Sequence, residues 1–153
     1  MDVTPIGRVR SSQLVPGGRG HGWDRETTSI ELDSERFDES ALLGLGDFSH
    51  IEVVFVFDQL DPLLIEYSAR RPGDRTEWPR VGIFAQRYSH RPNRIGVSRC
   101  ALLSVEGLTA RVGGLDAIDG TPVLDIKPWV SEYGPRGETF QPRWTSELMA
   151  GYW

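Results

Sequence analysis

The chain has 153 residues, of which 39% are hydrophobic and 25% are charged, a balance typical of one globular domain with its own core. No apolar run approaches the roughly 20 residues that span a membrane, and the first residues lack the basic and apolar stretches of a secretory signal, so we expect a cytoplasmic protein without a membrane segment. The formal net charge of -5 argues against a general nucleic-acid-binding protein, and the single cysteine, Cys100, excludes an internal disulfide and is expected to be a buried thiol.

Short strand signals recur along the chain, and no segment predicts a long helix. Predicted strands occupy residues 6–9, 28–32, 51–57, 81–84, 97–105, 108–112 and 122–126. The segment 51–57 is almost continuously apolar, so both of its faces should be covered. Between the strands we expect a glycine-rich loop at 17–22 and a short helix at 39–45 with Asp38 as its N-cap, and near the end one or two helical turns at 144–149. The pattern predicts one mainly β domain over residues 1–153, either a barrel or a sandwich.

One segment of this acidic chain is strongly cationic. Between residues 70 and 99, eight arginines face two acidic residues, a net charge of +6, while the rest of the chain carries 9 basic and 20 acidic residues. The eight are Arg70, Arg71, Arg75, Arg80, Arg87, Arg91, Arg94 and Arg99. The guanidinium group is planar and can donate two parallel N–H hydrogen bonds, so it binds phosphates and carboxylates well and stacks on bases. This cationic segment favours an anionic ligand or RNA; arginines scattered over a solvated face are the alternative.

A polar loop between two predicted strands concentrates side chains that can bind or react. It projects Arg87, His90, Arg91 and Asn93 from a turn that Pro92 makes rigid. Such a density of polar side chains indicates a functional loop. A Pro-Asn turn that only connects two strands is the structural alternative.

The stretch 113–129 carries a second group of polar turn residues. Three aspartates, Asp116, Asp119 and Asp125, lie within ten residues. Their spacing does not fit a calcium-binding loop, and no histidine lies nearby, so we expect no metal site. Aspartates that only cap turns are the structural alternative for this stretch.

These two stretches together closely resemble the signature of the TrmO (TsaA-like) family. The resemblance rests on Phe84, Arg87 and the run from Arg91 to Ser98, and on the run from Gly114 to Pro128. The opening run from Ile6 to Ser11 and the tripeptide Phe48-Ser49-His50 are also similar to the family pattern. The resemblance covers residues 5–130, and its second motif is long and specific.

The resemblance implies a single-sheeted closed β-barrel with short helices that forms a homodimer and binds S-adenosylmethionine. The family's best-known activity is N6-methylation of N6-threonylcarbamoyladenosine at position 37 of transfer RNA, which is the activity we expect. By motif matching, the cofactor would contact Arg87, Val97, Gly113, Gly114, Leu115 and Asp116, and also Asp58 and Gln59 at the end of the long strand.

A transfer-RNA substrate would meet the polar loop that projects Arg87, His90, Arg91 and Asn93, here called the arginine-bearing loop. Proteins read unstacked bases by stacking and edge hydrogen bonds, so Tyr88, Arg91 and Arg94 are the candidate substrate contacts. The candidate catalytic residues are His90, which could take the proton from N6, and Asn93. An exposed histidine without a role and a tyrosine at a dimer contact are the alternatives.

Departures from the family pattern keep other functions open. Arg94 stands where the family usually has proline, Gln86-Arg87-Tyr88 replaces threonine-arginine-serine, and the chain stops at Trp153 without the extension of longer members. Two alternatives follow: methylation of a small molecule with the same cofactor, or a regulatory module that binds the cofactor without turnover.

Overall fold

The computed structural model describes residues 2–15 and 22–153. The glycine-rich loop predicted at 17–22 lies outside these residues except for Gly22. The strands are β1 (Gly7–Arg10), β2 (Thr27–Leu32), β3 (His50–Val56), β4 (Ala69–Arg70), β5 (Val81–Gly82), β6 (Ile95–Glu106), β7 (Thr109–Gly113) and β8 (Pro122–Pro128), and the α-helix is α1 (Arg143–Met149). Short 3-10 helices lie between them at Trp23–Arg25, Glu39–Leu42, Leu45–Asp47, Pro62–Leu64, Pro72–Asp74, Ile83–Ala85 and Ser131–Tyr133.

Six strands close into one antiparallel barrel in the order β1-β2-β7-β6-β3-β8. The ring is completed where Gly7 of β1 pairs with Val123 of β8. Closure removes the exposed edges that an open sheet would leave. The predicted mainly β, single-sheeted closed barrel with short helices is confirmed. The remaining strands, β4 and β5, form a separate two-stranded sheet.

Strand alternation fills the barrel interior. In β3, Ile51, Val53 and Phe55 are buried, whereas the residues between them are only half-buried. The expectation that both faces of this strand are covered therefore holds in full for the inner face only. Cys100 of β6 is fully buried in the same core, so the predicted buried thiol on a strand is confirmed.

The longest strand, β6, organises the barrel because it pairs with β3 on one side and β7 on the other. The predicted turn that follows it is confirmed: Gly107 has a φ of 57°, a conformation that glycine adopts without strain. The pairing with β7 shifts register between Leu102 and Ser104, an irregularity of the β-bulge type.

Two predicted elements differ from the structure in detail. The strand expected at 81–84 pairs only at Val81–Gly82 and then turns into a 3-10 helix. The helix expected at 39–45 is a single 3-10 turn, Glu39–Leu42, which the side chain of Asp38 caps as predicted by accepting from the Ser40 N–H at 2.9 Å. Short segments change in this way because tertiary contacts outweigh weak local propensity.

The C-terminal helix α1 is tied to the cationic segment by Trp78. The Trp78 Nε1–H donates to the Glu147 carboxylate at 2.9 Å, and the rings of Trp78 and Trp144 lie 6.5 Å apart. Trp78 is only 4% exposed, so this contact forms a small apolar anchor outside the barrel core. In the part of the chain that the structure describes, no helix has the length and apolar character needed to cross a membrane.

Candidate active site

The two polar stretches singled out from the sequence, the arginine-bearing loop and residues 113–129 (the aspartate-bearing stretch), meet along β6. The register of β6 and β7 pairs Ala101 with Gly113, and the residues after Gly113 then run beside β6 towards the first residues of that strand. The Cys100 thiol lies 3.6 Å from the Gly114 carbonyl, and further along the Ser98 hydroxyl donates to the Asp116 carboxylate. The aspartate-bearing stretch therefore reaches the end of β6 from which the arginine-bearing loop projects.

Asp116 is the centre of this meeting point. One of its carboxylate oxygens accepts from the Ser98 hydroxyl, and the other accepts from the Tyr152 hydroxyl at 2.8 Å. Ser98 is almost fully buried and reaches the carboxylate from inside the barrel. Tyr152 reaches it from the segment after α1. Hydrogen bonds to a charged acceptor are stronger than neutral ones, so this three-residue contact holds the carboxylate in one orientation.

Arg87 reaches the same place from the arginine-bearing loop. One of its terminal amino groups donates to the Val97 carbonyl at 2.5 Å, while the side chain stays exposed. Burial and the negative charge of Asp116 raise the pKa of the Tyr152 phenol, and the positive charge of Arg87 acts on it in the opposite direction. Arg87 therefore lies within electrostatic reach of the Asp116–Tyr152 pair, with guanidinium N–H groups left for a ligand.

The turn after β7 provides backbone that a ligand can approach closely. Among residues 2–15 and 22–153, no atom beyond the chain neighbours of Gly113 lies within 4 Å of the position where its Cβ would sit, so these residues leave space beside it. Gly114 has a φ of 78°, and a Cβ on it would lie 2.9 Å from a carboxylate oxygen of Asp24. A cleft of about 530 Å³ borders Gly113 and is lined also by Asp24, His50 and Arg99.

Leu115, the neighbour of these glycines, is fully buried in the barrel core. Its side chain therefore packs inside the protein. The predicted stretch 113–116 thus contains a half-buried glycine, a buried glycine, a core leucine and a half-buried aspartate.

Asp58 and Gln59 follow β3 and are exposed. The Phe57 N–H donates to the Arg94 carbonyl at 2.8 Å, which ties the end of β3 to the turn of the arginine-bearing loop. These two candidates therefore lie at the same end of the barrel as that loop. None of the described hydrogen bonds joins their side chains to Asp116 or Arg87.

The candidate substrate residue Tyr88 is part of a short stack. The guanidinium of Arg70 lies 4.1 Å from the centre of the Tyr88 ring, and the ring of His90 is stacked on it at 4.9 Å. The His90 Nδ1 lies 3.2 Å from the Ser89 hydroxyl. Tyr88 is therefore engaged with two neighbours of its own chain.

The turn that carries the other candidates is unusual at one position. The Arg94 N–H donates to the Arg91 carbonyl at 2.9 Å, and Asn93 is exposed at the tip of this turn. Arg94 has a φ of 52°, which proline cannot adopt. The proline that the family pattern would place here therefore could not adopt the backbone conformation of Arg94.

The charge of the cationic segment is only partly neutralised. Arg70 pairs with Asp74 at 2.6 Å, Arg75 pairs with Glu77, and Arg99 pairs with Glu52 at 3.3 Å. Four others donate to backbone carbonyls: Arg71, Arg80, Arg87 and Arg91. A carbonyl orients a guanidinium without cancelling its charge, so these four remain available to an anion.

Sequence reasoning missed Ser98, Tyr152 and Asp24 as members of this site. Ser98 left a usable signal, because it is a polar residue at a position that strand alternation turns inwards. Tyr152 and Asp24 left none, since each lies far in sequence from the residues it approaches. Within residues 2–15 and 22–153, no group of three His, Cys, Asp or Glu side chains is arranged to hold a metal ion.

Comparison with known proteins identifies the family. The profile described as "tRNA-methyltransferase O N-terminal domain" matches residues 14–134. The "tRNA (adenine(37)-N6)-methyltransferase" of Mus musculus is 43% identical over 95 residues, which are 62% of this chain and 22% of that protein. The chain thus spans less than a quarter of this relative's length.

Two microbial relatives match over more of the chain. A "Putative S-adenosylmethionine-dependent methyltransferase RcsF" of Pseudomonas aeruginosa is 37% identical over 84% of this chain and 56% of its own length. A "Probable S-adenosyl-L-methionine-binding protein" of Methanothermobacter thermautotrophicus is 35% identical over 88% of this chain and 94% of its own length.

Solved structures agree with these matches. The crystal structure of TrmO from Pseudomonas aeruginosa superimposes with a TM-score of 0.71 at 30% identity, covering 92% of this chain and 60% of that one. A second crystal structure of TrmO gives a TM-score of 0.73 at 33% identity, covering 92% and 62% of the two chains.

Proposed function

This chain belongs to the family of the tRNA-methyltransferase O N-terminal domain, and on that premise we propose that it transfers a methyl group from S-adenosylmethionine to N6 of the adenosine at position 37 of transfer RNA. We further propose that the acceptor is the N6-threonylcarbamoyl form of that adenosine. One observation carries the proposal: the arginine-bearing loop and the aspartate-bearing stretch meet on adjacent residues of β6, where Arg87 bonds Val97 and Ser98 bonds Asp116.

The residues at this meeting point fit the chemical groups of the cofactor. S-adenosylmethionine carries a carboxylate, an ammonium, two ribose hydroxyls and an adenine. Arg87 is a donor for the carboxylate, and Asp116 is an acceptor for an amino or hydroxyl group. The open space beside Gly113 lets the backbone approach a flat ring without a side chain between them. Val97 offers a backbone group, and Asp58 and Gln59 offer polar side chains at the same end of the barrel. Gly114 and Leu115 are buried, so their proposed contribution is to shape the turn beside the cofactor.

The task of the protein in this reaction is positioning. When bound, the cofactor supplies a methyl group on a positively charged sulfur, which leaves as a neutral thioether. No acid is needed for that leaving group, so holding the acceptor nitrogen in line is the main contribution of the chain. We propose that His90 takes the proton that N6 loses, because the amide of Asn93 is not a base; Asn93 then orients the acceptor from the tip of the turn.

The role of His90 is tested by single substitution. His90→Gln keeps a polar side chain of similar reach but cannot accept the proton. It should lower kcat by about 100-fold. An unchanged kcat would remove His90 from the reaction, and Asn93→Ala is the parallel measurement for the second candidate.

The cationic segment is proposed to hold the transfer RNA. Two of its guanidinium groups that bond only backbone carbonyls, those of Arg87 and Arg91, lie on the loop next to the site, and each contact with a phosphate releases counterions. Arg91→Ala and Arg94→Ala should each weaken transfer-RNA binding and reduce the slope of log affinity against log salt by about 0.7 to 0.9. Arg136→Ala is the matched control, since Arg136 is exposed and lies outside the cationic segment. Equal effects of all three substitutions would argue against a binding role for the segment.

Two measurements test the proposed function as a whole. Calorimetry with S-adenosylmethionine tests the cofactor, and absence of heat would end the proposal. Mass spectrometry of transfer-RNA nucleosides from cells with and without the gene tests the acceptor. Cofactor binding with an unchanged nucleoside profile would favour the small-molecule acceptor, and binding without turnover on any acceptor would favour a cofactor-binding module.

We also propose that the chain works as a homodimer. Large apolar side chains remain exposed on the single chain, among them Leu43 at 88%, Leu63 at 91% and Phe84 at 78%. Exposed apolar side chains that together form a contiguous patch mark protein–protein interaction sites. Sedimentation velocity over a range of concentrations tests this, and a monomer at every concentration would refute it.

A further inference from the structure

The segment after α1 returns to the candidate cofactor site. The Tyr152 N–H donates to the Met149 carbonyl at 3.0 Å, which folds the chain back at the end of the helix. The Tyr152 hydroxyl then reaches the Asp116 carboxylate at 2.8 Å. The helix itself is anchored by the contacts of Trp144 and Glu147 with Trp78. Residues 143–153, here called the C-terminal strap, therefore run from the cationic segment to Asp116.

We propose that Tyr152 is a positioning residue for the cofactor, because its hydroxyl holds the carboxylate of Asp116 in the orientation that receives the ligand. This inference rests on the proposed function, in which Asp116 contacts S-adenosylmethionine. It adds a residue from the C-terminal strap, which lies outside the motifs that carry the family resemblance.

The geometry of the carboxylate supports this role. Ser98 bonds one oxygen from inside the barrel, and Tyr152 bonds the other from outside, so the group cannot rotate without breaking a hydrogen bond. A carboxylate accepts at about four lone-pair sites, and these two bonds use only two of them. The remaining two sites can accept from an amino or hydroxyl group of the ligand, and the two hydrogen bonds fix their direction before the ligand binds.

The surroundings of Tyr152 indicate a specific contact rather than general packing. Gly151 is exposed and Trp153 is 46% exposed, so Tyr152 is the least exposed of the last three residues. Tyr152 itself is partly buried, and that burial, together with the charge of Asp116, raises the pKa of its phenol. The hydroxyl therefore stays protonated and remains a donor to Asp116 at any pH near neutral.

The test compares Tyr152→Phe with Tyr133→Phe. The first removes one hydroxyl and keeps the ring, and the second removes a hydroxyl from a tyrosine that is 85% exposed. Calorimetry should show that Tyr152→Phe weakens S-adenosylmethionine binding about tenfold, as expected for the loss of one charge-assisted hydrogen bond. Tyr133→Phe should bind as the unmodified protein does.

Steady-state kinetics separate positioning from a structural role. Tyr152→Phe should raise KM for S-adenosylmethionine and leave kcat and KM for transfer RNA within about twofold, because only cofactor binding loses an interaction. A merely structural hydroxyl would lower the fraction of active protein, and hence kcat, without moving KM. When Tyr152→Phe is added to Asp116→Ala, it should cause no further loss of affinity, since its effect passes through Asp116.

The outcomes separate failure of the inference from failure of the proposed function. If the unmodified protein binds S-adenosylmethionine and Tyr152→Phe binds it equally well, the inference falls and the proposed function stands. If Tyr152→Phe binds more tightly, the strap competes with the ligand and the inference is overturned. If the unmodified protein does not bind the cofactor at all, the proposed function fails, and the inference fails with it.

Discussion

Asp116→Ala removes the acceptor on which two hydroxyl groups converge. Ser98 is 4% exposed, so its hydroxyl is left in the barrel without the carboxylate it donates to. A buried polar group that loses its partner costs about 1 to 3 kcal/mol, and the partly buried Tyr152 hydroxyl adds to this. We expect the free energy of unfolding to fall by about 2 kcal/mol, which for a chain of 153 residues lowers Tm by about 4 to 8 °C.

Urea unfolding of a double-mutant cycle measures the same effect with an internal check. Ser98→Ala removes the buried donor, so combining it with Asp116→Ala leaves no unpaired hydroxyl at that position. Replacing both partners of a buried hydrogen bond is far milder than removing one. The double variant should therefore be more stable than the sum of the two single changes predicts, by about 1 kcal/mol.

The matched control is Asp125→Ala. Asp125 pairs with Lys127 on the surface, where an ion pair contributes about 0 to 1 kcal/mol. The control should shift the unfolding midpoint only slightly, with the same m-value as the unmodified protein. If Asp116→Ala is as stable as this control, or if its effect adds fully to that of Ser98→Ala, the carboxylate does not hold Ser98 in solution.

Three further predictions concern the barrel and the site. Gly96→Ala should destabilise the protein by about 1 to 3 kcal/mol in urea unfolding, because a Cβ there would lie 2.5 Å from the buried ring of Phe55; a neutral change would contradict the packing. Burial raises the pKa of the Cys100 thiol from 9.0 to about 12, so the unfolded chain loses its thiol proton first. The free energy of unfolding should then fall from about pH 9 upwards, by at most about 1.4 kcal/mol per pH unit, and Cys100→Ala should flatten the curve. Gly114→Ala should weaken cofactor binding and also lower Tm, since the φ of 78° disfavours a side chain and its Cβ would crowd Asp24 at the site. Calorimetry measures the loss of affinity, thermal unfolding measures the fall in Tm, and an unchanged affinity would contradict the prediction.

The mainly β fold could be predicted because strand signals are local, but they left a barrel and a sandwich open, and the closed barrel was expected from the family resemblance. In the almost continuously apolar segment 51–57 the sequence did not distinguish the two faces, whereas the structure buries Ile51, Val53 and Phe55 and leaves the residues between them half-buried. Where the pattern was shorter the prediction was less complete: residues 81–84 contain a two-residue strand followed by a 3-10 turn. Four residues are too few for a pattern to outweigh the contacts around them.

The site could be predicted in part, because each of the two motifs is a continuous stretch of the sequence. Arg87 and Asp116 were both expected near the cofactor, and the structure brings their stretches to adjacent residues of β6. The assignment of each residue to the cofactor, the substrate or the proton stays a prediction. The stack of Tyr88 between Arg70 and His90 was not foreseen, since its three members lie on two separate segments.

The sequence alone determined the strand signals, the cationic segment and the two motifs, because each of these depends only on residues that are close together in the chain. Only the tertiary structure decided that Ser98 and Tyr152 share the carboxylate of Asp116. Tyr152 lies 36 residues further along the chain from Asp116, and no local preference encodes so distant a contact. Closure of the barrel sets where β6 ends, and the anchoring of α1 on Trp78 sets where the strap returns. Both arise from packing between elements rather than from any single one of them.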